Sequence, residues 1–139
     1  MQSPTTSTRF TVLLPPAAGA WHDVVTRLLE PQGVQTLVGR SGRDMLSVLE
    51  ATTVHAVVLD TQMPQLGGMQ VLKFMREMKK APPAILLAEQ MTNHLLREAL
   101  TMHVFSVLTK PVDFNLLLDA LARLIKRFHE NRWPGESGN

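Results

Sequence analysis

Cysteine is absent from the 139 residues, which excludes disulfides, zinc–thiolate centres and thiol catalysis. No apolar run approaches the length needed to cross a membrane. The opening MQSPTTSTR is polar and lacks the apolar core of a signal peptide, so a soluble cytoplasmic domain is the expectation. A large charge of one sign is also missing. The formal net charge is +2, without a basic stripe, and this gives no indication of nucleic-acid binding. Neither an internal repeat nor a low-complexity block interrupts the chain.

What remains has the balance of one ordinary globular domain, 45% hydrophobic and 19% charged, long enough to bury a core. Residues 1–8 read as a loose leader, 9–130 as the domain, and 131–139 (NRWPGESGN) as a polar tail or the start of a linker. Within the domain, short apolar runs alternate with segments of helical period. The runs are FTVLL (10–14), VQTLV (34–38), VHAVVL (54–59), AILLA (84–88) and VFSVL (104–108). Most are rich in Val, Ile and Leu without alternation, as in strands covered on both faces.

Between the runs, Trp21, Val24, Val25, Leu28 and Leu29 share one helical face, closed by Pro31 and Gly33. Ser41 caps a helix carrying Met45, Leu46 and Leu49. Val71, Leu72, Met75 and Met78 form a third stripe before Pro82-Pro83, and Thr92 or Asn93 opens a fourth with Leu95, Leu96, Ala99 and Leu100. Asp113 caps a long fifth helix with Phe114, Leu117, Leu118, Leu121, Leu124, Ile125 and Phe128 on one side. Five βα units with right-handed crossovers predict an α/β three-layer sandwich around a five-stranded parallel sheet. The expected order is 2-1-3-4-5, the flavodoxin-like (βα)5 arrangement, with sites at the carboxyl ends of strands 1 and 3.

That order puts Asp60 at the switch point. In VVLDTQMPQLGG (57–68) the strand ends on this carboxylate, Pro64 stiffens the following loop, and Gly67-Gly68 lets the chain turn into the third helix. Together with VLTKP (107–111), the stretch resembles the receiver domain of bacterial response regulators in two-component signalling, over about residues 9–129. The resemblance implies that Asp60 occupies the position that accepts a phosphoryl group from a histidine kinase, and that Lys110 pairs with the phosphoryl oxygens. It also implies a divalent cation held by acidic residues at the end of the first strand, a hydroxyl ending the fourth strand, and an aromatic switch residue on the fifth. Here those places read Pro15-Pro16, Ala88 and Val107.

Proline side chains offer nothing to a cation and no backbone N–H. With Asp60 facing Lys110 alone the expected charge count is neutral, and a lone carboxylate holds Mg²⁺ weakly. Glu89 is the one other acid expected on the same rim, and Asp23, inside the first helix, is expected to point elsewhere. The expected site is therefore a degenerate, pseudo-receiver pocket. It has no metal, no cofactor and no enzymatic activity, and Asp60 and Lys110 satisfy each other. The function expected is a signalling module acting through protein–protein contacts. The alternative is a working phosphoacceptor receiver, phosphorylated on Asp60 with Mg²⁺. A flavin- or nucleotide-binding domain of the same architecture would want a phosphate-cradling loop after the first strand, which PPAAGAW does not supply.

The five histidines (His22, His55, His94, His103, His129) are scattered and read as surface or edge residues rather than as zinc ligands. Met45, Met75 and Met78 read as core. The basic end of the last helix (Arg123, Lys126, Arg127, with Arg132 beyond) complements the helix dipole. Receiver domains also use the face of the fourth helix, fifth strand and fifth helix for dimerisation or output. Leu116, and His94 and His103 read as fourth-helix residues, lie off the apolar stripes there, and Trp133 follows as a candidate packing residue. Expected partners are a histidine kinase, an output domain or a second copy, with neither nucleic acid nor membrane.

Overall fold

The computed structural model describes residues 9–16 and 21–130. The expected leader and tail, with Arg132 and Trp133, lie outside the described residues. Five strands, β1 (Phe10–Leu14), β2 (Val34–Val38), β3 (Ala56–Asp60), β4 (Ala84–Ala88) and β5 (Ser106–Thr109), form one parallel sheet in the order β2-β1-β3-β4-β5. The helices are α1 (Trp21–Leu29), α2 (Gly42–Ala51), α3 (Gly68–Met75), α4 (Asn93–Thr101) and α5 (Phe114–His129).

Strand periodicity sorts the core into two layers. Val12, Leu14, Val58, Ile85 and Leu87 face α1 and α5, while Leu13, Val57, Leu59 and Leu86 face α2, α3 and α4. Because successive side chains point to opposite faces, the unbroken apolar runs of β3 up to Leu59 and of all β4 serve both layers at once. Leu117, Leu121 and Leu124 of α5 are fully buried, each contributing about 2 kcal/mol of hydrophobic stabilisation.

The helix starts follow local chemistry. Ser41 Oγ accepts from Asp44 N–H at 3.0 Å, Thr92 Oγ1 from Leu95 N–H at 3.0 Å, and Asp113 Oδ1 from Asn115 N–H at 2.9 Å. After α1 a short 3₁₀ turn (Glu30–Gln32) ends on Gly33 at φ +80°. Boundaries set by packing moved. β5 begins at Ser106, two residues later than its apolar run suggests, and α3 stops at Met75, leaving Met78 in the following turn. Val24, Leu28, Leu96 and Leu100 are exposed, so the buried stripes of α1 and α4 are narrower than expected. α4 ends at Thr101, which leaves His103 outside it, in the connection to β5.

Candidate functional site

Asp60 is the last residue of β3 and is only 8% exposed. Both carboxylate oxygens have partners: Oδ1 accepts from Gln62 N–H at 2.9 Å, and Oδ2 lies 2.8 Å from Lys110 Nζ. Lys110 follows β5, whose register places Thr109 beside Ala88 of β4, and its own N–H donates to the Ala88 carbonyl at 2.8 Å. The two chain positions, fifty residues apart, therefore meet because the sheet order sets β4 between β3 and β5.

The loop after Asp60 is tied down on both sides. Leu66 N–H and Gly42 N–H both donate to the Pro64 carbonyl, at 2.8 and 3.1 Å, and Ser41 Oγ lies 3.2 Å from Gln65 Oε1. The left-handed residue is Gln65 at φ +71°, whereas Gly67 has φ −76°. Gly67-Gly68 is thus required for a different reason from the one expected. A Cβ on Gly68 would stand 2.7 Å from the Asp60 carbonyl oxygen, so the pair permits close approach rather than a reversed turn.

A cavity of about 360 Å³ opens above the ion pair. Its walls include Pro16, Trp21, Leu87 and Val112, with Gln62 beside Asp60 and Lys110. Sequence reasoning placed Trp21 only on the apolar face of the first helix and did not single out Gln62; the signal for Gln62 was its position two residues after the carboxylate, where an Asx turn forms. Pro15 is buried and Pro16 half-buried at the end of β1. Ala88 is buried at the end of β4, and Val107 packs into the second core layer. Asp23 is exposed and near His22 at 3.7 Å, away from the site as expected.

The expected neutral charge count needs correction. Lys110 Nζ also lies 3.7 Å from Glu89 Oε2, so two carboxylates share one ammonium. Glu89 is half-exposed, its partner is the lysine, and the pair is correspondingly weak. A divalent ion does not fit this donor set. One carboxylate is engaged on both oxygens, the other is drawn to Lys110, and no group of three His, Cys, Asp or Glu capable of holding a metal occurs among the described residues.

The response regulator receiver domain family matches residues 20–122. The chain belongs to the response regulator receiver family. Among curated relatives it is 25% identical over 111 residues to response regulator RR06 of Streptococcus pneumoniae, covering 78% of this chain and 51% of that one. It is 30% identical over 105 residues to the sensory/regulatory protein RpfC of Xanthomonas campestris, covering 73% of this chain and 14% of that one. The chain thus spans about half, or much less, of these relatives. The Francisella response regulator 1452 receiver domain superposes with a TM-score of 0.75 at 25% identity, covering 85% of this chain and 98% of that one. The chemotaxis protein CheY4 of Vibrio cholerae shares the fold, with a TM-score of 0.71 at 21% identity over 84% of this chain and 99% of that one. Within this receiver fold, Asp60 and Lys110 stand at the carboxyl rim of the sheet, with Pro15-Pro16 at the neighbouring strand end.

His55, expected as a surface or edge residue, is 9% exposed. Its Nδ1 accepts from Thr11 N–H at 2.9 Å, and its ring stacks on Phe10 at 5.5 Å. Burial lowers its pKa below 6.5. It lies at the opposite end of the sheet from Asp60, where β1 and β3 begin, and has a structural role.

Proposed function

We propose that this receiver domain works as a protein–protein signalling module without the Mg²⁺-dependent phosphorylation cycle. The observation that carries the reading is Pro15-Pro16 at the end of β1, where a cation would need carboxylates, beside an Asp60 whose Oδ2 Lys110 already engages at 2.8 Å. The hydroxyl that would steady a transferred phosphoryl group is also replaced, by Ala88. Each electrostatic support of that kind is typically worth about 3 kcal/mol in a transition state, so losing several slows transfer by powers of ten. No cofactor is then required, and the domain carries no enzymatic activity of its own.

The surface proposed to carry the signal is the face of α4, β5 and α5. Leu100 is 64% and Leu116 53% exposed, with Leu96 also exposed on α4. This face suits a second copy or an output domain, in the cytoplasm, with a histidine kinase as a further candidate partner. The alternative, a working phosphoacceptor, draws on Glu89, which stands on the same rim and adds the negative charge that Pro15-Pro16 removes.

Intact mass spectrometry after treatment with acetyl phosphate and Mg²⁺ decides between the two. The expected result is an unchanged mass. A phosphoryl-sized gain that disappears in Asp60→Asn establishes the working receiver instead.

A further inference from the structure

At the opposite end of the sheet from Asp60, where β4 and β5 begin, lies an open groove of about 740 Å³. It runs between the last turn of α3, the α4–β5 connection and the end of α5. Its apolar lining includes Leu72, Met75, Met102 and Phe105, and its cations are Arg76, Lys79, Arg123 and Arg127. No carboxylate lines it among the described residues. In a chain of net charge only +2, four converging cations are a local feature rather than a sample of a basic surface.

Two of these cations are held in place. The Arg123 and Arg127 guanidiniums lie over the Phe105 ring, 5.5 and 5.0 Å from its centroid, a cation–π arrangement that keeps them at the groove wall. Arg123 is shared with Asp119 at 3.2 Å. Arg76, Lys79 and Arg127 have no carboxylate within 4 Å among the described residues. His103 completes the wall at φ +58°, the position after α4 where glycine would be the unstrained residue. A side chain there runs against backbone preference, an outlier of the kind that motivates a functional hypothesis.

Basic residues at helix ends complement helix dipoles, but that effect alone gives no reason for them to ring one apolar concavity. We propose that this groove docks an acidic amphipathic peptide segment of a partner protein. Carboxylates of the segment pair with the four cations, and its apolar side chains enter the methionine–phenylalanine lining. A compact phosphate is the poorer fit. The flanking helices present their carboxyl ends here, whose partial negative charge opposes a concentrated anion, and no helix N-terminus offers N–H donors. Long cationic side chains spread around an apolar surface suit charges spaced along a chain.

The test is fluorescence anisotropy with a labelled short peptide of Glu interspersed with Leu and Phe, at low and moderate salt. Controls are a Glu/Ser/Gly peptide of equal charge, the same amphipathic pattern with Lys for Glu, and pyrophosphate as competitor. Saturable binding is expected for the first peptide only, weakening with salt and weakened at least about tenfold by Arg123→Glu with Arg127→Glu. Lys73→Glu, on α3 outside the groove, should leave binding unchanged. If the α5 double variant fails to fold, Arg76→Glu with Lys79→Glu, both exposed, carries the same test. The proposal is overturned if the amphipathic acidic peptide does not bind, if the Glu/Ser/Gly peptide binds equally well, if pyrophosphate displaces it efficiently, or if charge reversal has no effect.

Discussion

Lys110 Nζ sits 2.8 Å from Asp60 Oδ2 and 3.7 Å from Glu89 Oε2, a lysine held between two carboxylates of unequal burial. The asymmetry sets the hierarchy: Asp60, 11% exposed in its side chain, is the principal partner, and Glu89, at 55%, is a spare. Removing Asp60 should therefore not strand the lysine, because the ammonium can move to Glu89 or into water. Asp60→Asn is expected to cost about 1 kcal/mol, and Asp60→Asn with Glu89→Gln somewhat more than the sum of the single changes. Urea denaturation of the four proteins of this cycle measures it. A loss of several kcal/mol from Asp60→Asn alone would mean that Lys110 has no second outlet.

The cation prediction concerns the same rim. With both Asp60 oxygens engaged and Mg²⁺ reluctant to shed water, no saturable binding is expected at low millimolar concentration. Amide NMR shifts of residues 58–64 and 88–90 during a Mg²⁺ titration are the readout. Saturation there would show that Glu89 leaves Lys110 to complete a site.

Assembly follows from the apolar side chains left outside the core. Leu100 and Leu116, exposed on α4 and α5, make self-association without a phosphoryl donor the expected behaviour at tens of micromolar, reduced by Leu116→Glu. Sedimentation velocity across a concentration series decides it. A monomer at every concentration removes the dimer from the proposal and leaves the output partner.

His55 gives a pH dependence with a definite sign. Burial lowers its folded-state pKa below the ordinary 6.5, and Nδ1 must stay unprotonated to accept from Thr11 N–H. Its contribution is fully present above about pH 6.5 and is lost as pH falls through the lower folded-state value. His55→Asn offers a neutral acceptor, so the difference in melting temperature between wild type and this variant should shift in the variant's favour on acidification. Taking that difference also removes the titrations of the other histidines. A difference independent of pH between 7 and about 5 would remove His55 as the source.

His103 makes a stability prediction independent of any partner. At φ +58° a non-glycine residue is strained. His103→Gly is expected to stabilise the fold by about 0.5–1 kcal/mol, visible as a melting temperature raised by several degrees. A destabilised variant would mean that the imidazole packs in the groove wall more than it strains the backbone.

Apolar periodicity and turn chemistry, read from the residues alone, were enough for the five βα units, the 2-1-3-4-5 order and the caps at Ser41, at Thr92 or Asn93, and at Asp113. These depend on near neighbours in the chain, or on the few sheet orders that right-handed crossovers allow. The facing of Asp60 by Lys110 and the departures at Pro15, Pro16, Ala88 and Val107 were legible only through the resemblance to receiver domains, which gives each of those positions a role. Only the tertiary structure decided where Glu89 points, that His55 is buried under Phe10 and Phe128, and that Leu96 and Leu100 miss the core. It alone brought Arg76, Lys79, Arg123 and Arg127 around one groove. Those outcomes turn on distances between side chains far apart in sequence and on the exact residues at which helices stop. A periodic pattern narrows a helix face to within a residue or two, but one residue is 100° of rotation, enough to carry a leucine from the core to the surface.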